Sequence, residues 1–126
     1  LFIDAFDHEG MASSICNEAF FDACRVILKK DGILVINLWG GPNNPEYHQV
    51  SQWLARVFNW QTLFLPVRDR GNIIAFAFND YSPMFSLKEL REIAINLEKK
   101  YQIEFPAFLK DLKKHNASTF SQVIKT

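Results

Sequence analysis

The chain has 126 residues, a 48% hydrophobic share and twelve phenylalanines, enough for one ordinary domain with a real core and evidence against a disordered chain. Fourteen basic and fourteen acidic side chains cancel, so no overall field favours nucleic acid or an anionic membrane, and any electrostatic function must be local. No apolar run approaches the roughly 20 residues needed to span a bilayer and no basic leader precedes the first apolar stretch, so the expectation is a soluble, cytoplasmic protein.

Leu1, Phe2 and Ile3 are apolar and β-compatible, with no turn, cap or initiating methionine before them, so the chain reads as opening inside a strand. Asp4, Asp7 and Glu9 follow. Ser13 or Ser14 can cap a helix in which Cys16, Phe20, Cys24 and Ile27 recur at helical spacing and which Lys29, Lys30 and Gly32 close. Its two cysteines are about 12 Å apart along the axis at ~1.5 Å per residue, too far to bridge, and are expected as free, packed thiols. Residues 33–36 form a continuous apolar run, expected as a strand covered on both faces of a parallel sheet and ended by Asn37.

Asn44 and Pro45 then start a second helix with Tyr47, Val50, Leu54, Val57 and Phe58 on its apolar face. Residues 61–67 and 73–78 read as an antiparallel hairpin around a polar turn. Ser86 and Glu89 form a capping box for a third helix carrying Leu87, Leu90, Ile93, Ala94, Leu97 and Tyr101. Pro106 starts a short fourth, with Phe105, Phe108, Leu109 and Leu112 inward and Lys110, Lys113 and Lys114 in water. From His115 on the pattern weakens and a frayed tail is expected.

This order implies an α/β fold, a mostly parallel sheet ending in an antiparallel hairpin with C-terminal helices added. Such sheets hold ligands at the carboxyl ends of their strands, where Asp4, Asp7 and Asn37 fall. One carboxylate there can take a proton from an amine or hydroxyl, and a second can hold a cationic substrate, with Glu9 adding to the same negative patch. The plainer alternative is that these acids interact with the dipole of the helix beginning near Ser13. Asp4, Asp7, His8 and Glu9 lack regular ligand spacing, so no metal site is expected. His48 and His115 have no nucleophile beside them in sequence, which leaves a serine or cysteine triad unsupported.

Three stretches carry a resemblance. Residues 1–12, LFIDAFDHEGMA, are similar to the spermidine synthase family stretch in which an apolar strand is followed by D-x-x-D-P-x-G-P-A. DGILVIN, at residues 31–37, resembles that family's PGGVLVVQ strand, and LPV with GNIIAF, at 65–67 and 71–76, resembles its IPTYPSGxIGF hairpin. The likeness covers about residues 1–80 with the three motifs in order. It implies the C-terminal half of a Rossmann-like, class I methyltransferase-type domain at 1–80 and a helical extension at 81–126. It further implies enzymes that move an aminopropyl group from decarboxylated S-adenosylmethionine to putrescine or a related polyamine.

By position, Asp4 matches the family acid that assists deprotonation of the attacking amine, and Asp7 the acid that holds and orients it. Asn37 stands where the family commonly has glutamine, and Arg68 where it has the tyrosine lining the amine pocket. His8 and Met11 replace two family residues of the loop. No G-x-G-x-G stretch occurs, so the residues binding the S-adenosyl donor are expected upstream of Leu1 and the isolated chain is expected to be inactive. Homo-oligomerisation is the expected assembly. A methyltransferase of the same fold using S-adenosylmethionine, and a non-catalytic, self-associating relative, are the competing readings.

Overall fold

The computed structural model describes residues 1–4, 6–7, 10–11, 17–39, 45–68, 70–82 and 84–126, with residues 6, 7, 10, 11 and 39 described by their backbone alone. Four strands build the main sheet: β1 (Phe2–Asp4), β4 (Ile33–Trp39), β6 (Asn72–Phe78) and β5 (Thr62–Pro66), in that spatial order. Two short strands, β2 (Phe6–Asp7) and β3 (Gly10–Met11), pair antiparallel beside it. β1 lies parallel to β4, whereas the pairings of β4 with β6 and of β5 with β6 are antiparallel. Thus β1, β4 and β5 point one way and β6 alone the other, seated between β4 and β5.

The first face of this sheet is closed by α1 (Glu18–Ile27) and α2 (Pro45–Val57). Leu34, Ile36 and Leu38 of β4 point there with Ile73, Ala75 and Ala77 of β6, and they meet Phe21, Cys24, Tyr47, Val50, Leu54 and Phe58 of the helical layer. Complete burial of a side chain such as Leu34 or Leu54 contributes roughly 1.5–3 kcal/mol. Arg25 ties this layer together: it donates to the Val57 carbonyl, forms a two-pronged pair with Asp80 at 2.7 and 2.8 Å, and lies over the Phe58 ring. At the exit of α1, Gly32 approaches the preceding turn so closely that a Cβ would sit 2.8 Å from Leu28 Cγ.

The second face is covered by α3 (Leu87–Tyr101), α4 (Phe105–His115) and α5 (Phe120–Val123), with β8 (Ile124–Lys125) pairing in parallel with β7 (Phe85–Ser86). Leu63, Phe76 and Phe78 of the sheet share a second core there with Leu87, Leu90, Leu109, Leu112, Phe120, Val123 and Ile124.

Several expectations change. Asn17, whose Oδ1 accepts the Phe20 N–H at 2.8 Å, caps α1, while Ser13, Ser14 and Cys16 lie outside the described residues. Ile27 is 74% exposed, because Phe21 rather than Ile27 completes the buried stripe with Cys24. In β4 the continuous apolar run hides an alternation: Leu34, Ile36 and Leu38 are fully buried, Ile33, Val35 and Asn37 only half-buried, because the second face is covered mainly over β5 and β6. The tail does not fray. Asn116, Phe120, Val123 and Ile124 are buried, and the last turn docks on β5 and β7. Other expectations match the structure: the buried face of α2, the antiparallel hairpin, and the Ser86 cap, whose Oγ accepts the Glu89 N–H at 3.1 Å.

Candidate functional site

Asp4 ends β1 in register with Asn37 of β4. Directly paired residues send their side chains to one face, so these two stand side by side, Asp4 at the end of β1 and Asn37 two residues before the end of β4, which runs on to Trp39 rather than stopping at Asn37 as expected. β6 runs in reverse, which brings its first residue, Asn72, level with the end of β4 on that same face. Asn72 Nδ2 donates to Asn37 Oδ1 at 3.0 Å, and Asn37 Nδ2 points to Asp4 Oδ1 at 3.4 Å.

The relay has a direction. With its oxygen committed to Asn72, the Asn37 amide must turn its NH₂ toward Asp4, so the orientation of one amide follows from the other. Asp4 is exposed, and among the described residues one long hydrogen bond engages it, which leaves most of its acceptor capacity open to an incoming donor such as an ammonium or amine. Asn72 is the residue that sequence reading missed. Its signal was topological: an antiparallel strand starts where its parallel neighbour ends.

The other expected site residues are placed differently. Asp7 lies in β2 with its backbone opposite Gly10, its side chain outside the described set, and Glu9 also lies outside the described residues. Arg68 follows β5 in the hairpin turn and joins another group: Nε and Nη2 meet the Asp111 carboxylate of α4 at 2.8 and 3.0 Å, and Nη1 lies 3.7 Å from Glu104. Its charge is therefore offset by two acids rather than left alone at the turn. The Arg68 hydrogen bond holds the Asp111 carboxyl below the usual carboxylate range. A lowered folded-state pKa means that this latch contributes above the unfolded carboxylate pKa and is lost as pH falls through the folded value. Acid unfolding curves should therefore show a loss of stability as pH falls below about 4, the ordinary carboxylate value, that Asp111→Asn removes; superimposable curves would discard the latch.

Among the described residues, no three His, Cys, Asp or Glu side chains group as metal ligands, and no helix is long and apolar enough to cross a membrane. Cys24 is a buried free thiol whose pKa burial pushes up, the opposite of an activated nucleophile.

No family model matches the chain, and no solved structure matches it significantly. Curated relatives do. The chain is 32% identical over 116 residues to polyamine aminopropyltransferases of Neisseria meningitidis serogroups A and B, covering 92% of this chain and 43% of theirs. It is 28% identical over 124 residues to the polyamine aminopropyltransferase of Chromobacterium violaceum, covering 98% of this chain and 47% of that one. The chain thus spans just under half the length of the relatives it matches. By sequence it is a partial homologue of polyamine aminopropyltransferases.

Proposed function

We propose that this chain is the C-terminal part of the catalytic domain of a spermidine synthase-like enzyme, which transfers an aminopropyl group from decarboxylated S-adenosylmethionine to a polyamine such as putrescine. The observation that carries the reading is Asp4 at the carboxyl end of β1, aligned by Asn37 and open to a ligand. One reversed strand among three that share a direction supports a Rossmann-like, class I methyltransferase-type sheet.

In this reaction the amine nitrogen attacks the carbon beside a sulfonium, so the C–N bond forms as the C–S bond breaks and the electron pair leaves with a neutral thioether. An amine that arrives as an ammonium must lose a proton before it can attack, and once the C–N bond has formed the positive charge given up by the sulfonium rests on the product nitrogen. Asp4 is proposed as the acceptor of that proton. Asn37 and Asn72 fix the direction from which Asp4 takes it. Asp7 and Glu9 are proposed to hold the cationic end of the polyamine, by charge-assisted hydrogen bonds. Arg68 is proposed as part of the rim of the amine site; paired with Asp111 and Glu104, it opposes an approaching cation less than an isolated guanidinium would.

Residues 1–80 carry this chemistry in our reading, and 81–126 buttress the sheet from its second face. The donor is proposed to be bound chiefly by parts of the longer protein outside this chain. β1 sits at one edge of the described sheet with Phe2 68% exposed, which suits continuation of the sheet there. The test compares the chain with the complete protein: transfer to putrescine by the complete protein and none by the chain alone is expected, and transfer by the chain alone would refute the division of labour.

A further inference from the structure

Only residues 102–104 separate α3 from α4, and the two helices pack against each other as a helical hairpin. Between them runs a groove of about 210 Å³. Leu87, Arg91 and Ile95, successive positions four apart on one face of α3, make one wall. Pro106, Leu109, Lys110 and Lys113, which share a face of α4 by the same spacing rule, make the other. The floor is apolar, since Leu87 and Leu109 continue down into the second core and Ile95 stands 47% exposed beside them. The rim is cationic on both walls, and no Asp or Glu lines the groove.

Two features leave this surface without its complement. First, its cations are unpaired: Arg25, Arg56 and Arg68 each form an ion pair, whereas Arg91, Lys110 and Lys113 meet no carboxylate among the described residues. Glu104 and Asp111, the acids within and just before α4, are taken up by Arg68 at the hairpin instead. The imbalance is regional, because residues 81–126 carry eight basic and five acidic side chains and residues 1–80 carry six and nine. A chain with no net charge therefore has a cationic helical half.

Second, α4 is only partly covered. The helices α1, α2, α3 and α5 each bury at least two side chains, but α4 buries none, and Pro106 and Leu109 are left half-buried. Size, charge and shape then decide what fits. The groove is smaller than the roughly 300–1,000 Å³ of small-molecule pockets, so it suits a few anchoring side chains rather than a whole ligand. A second copy seated symmetrically on it would set these cations against their own kind. A flat anionic membrane could meet the rim but would not fill the concave floor.

We propose that this groove docks an acidic amphipathic helix of a partner protein. Its apolar side chains, at i, i+3 or i+4 and i+7, lie along Leu87, Ile95, Pro106 and Leu109, and its carboxylates meet Arg91 on one wall and Lys110 and Lys113 on the other. About three helical turns of the partner match the length of α4, about 16 Å at ~1.5 Å per residue. The proposal does not rest on the aminopropyl-transfer reading.

The test is a fluorescence-anisotropy titration of the complete protein with a labelled helical peptide of about 15 residues, carrying leucines at i, i+3, i+7 and i+10 flanked by glutamates. Saturable binding is expected, at least about tenfold tighter than with the same peptide carrying lysines for its glutamates, and weaker as salt rises. Glutamines in place of the leucines should also weaken it by about tenfold, because charge alone does not fill the floor. Arg91→Glu combined with Lys113→Glu should reverse the preference between the acidic and basic peptides while Tm holds, as both side chains are exposed. Ile95→Ser should weaken the acidic peptide by about fivefold. No saturable binding, equal binding of the lysine or glutamine peptide, a preference that survives the double substitution, or indifference to Ile95→Ser would each overturn the proposal. So would tighter binding to phosphatidylglycerol vesicles than to the peptide, which would make the surface a membrane contact, or a change in sedimenting mass on the double substitution, which would make it a contact between copies.

Discussion

Replacing Asp4 by Asn in the complete protein is expected to lower aminopropyl transfer by about 10²–10⁴-fold, the usual worth of a positioned proton acceptor, with Tm almost unchanged. The substitution is nearly isosteric and sits on an exposed side chain at the sheet edge. The only hydrogen bond described for it is long, 3.4 Å from Asn37 Nδ2, so little stability hangs on it. What changes is the capacity to accept a proton. Product formation followed by mass spectrometry decides the matter, and undiminished transfer would remove Asp4 from the mechanism. Asn72→Ala should give a milder loss through the freed Asn37 amide, a positioning effect that Asn72→Gln should share because its longer side chain moves the donor.

Asn116→Ala is expected to cost about 2–4 kcal/mol of folding stability, a fall in Tm on the order of 10 °C. Asn116 is 5% exposed and its side chain makes three hydrogen bonds: it takes the Phe64 N–H and gives to the carbonyls of Phe64 and Leu112. It acts as a one-residue strand on the open edge of β5 and at the same time closes the end of α4. Truncation strands a buried donor and acceptor of Phe64 together, and unsatisfied groups cost more than the bonds were worth. Asn116→Asp keeps the acceptor but turns a carboxylate onto two carbonyls, so it should be no better. Chemical denaturation reads the difference; a loss under about 1 kcal/mol would mean that water replaces the side chain.

Local patterns were readable where local physics decides. The face of α2 follows from apolar spacing, the start of α3 from the Ser86–Glu89 capping pair, and the hairpin from two apolar runs around a polar turn. The strand-end position of Asp4 followed from topology alone, whereas β4 runs two residues past Asn37. Features that depend on distant partners were not readable. Arg68 and Asp111 are 43 residues apart, and only the docking of α4 beside the hairpin brings them together. Phe120, Val123 and Ile124 span too few residues to show a period, and their burial depends on the sheet face they cover. The α1 cap fell to Asn17 rather than to the serines before it because a stretch with several cap-competent residues leaves the choice to the surrounding fold.

The departures from the family pattern also look different beside the structure. Arg68 is a cation at the hairpin when read in sequence, yet Asp111 and Glu104 engage it. Asn37 is shorter than the family's glutamine, and Asn72 fixes the direction of its amide.

The most direct test of the central claim is to incubate the complete protein with putrescine and decarboxylated S-adenosylmethionine, in parallel with ordinary S-adenosylmethionine, and to weigh the amine products. An amine heavier by one aminopropyl group, formed only from the decarboxylated donor, is the result this account predicts. A methylated product from the ordinary donor, or no modified amine from either, would contradict it.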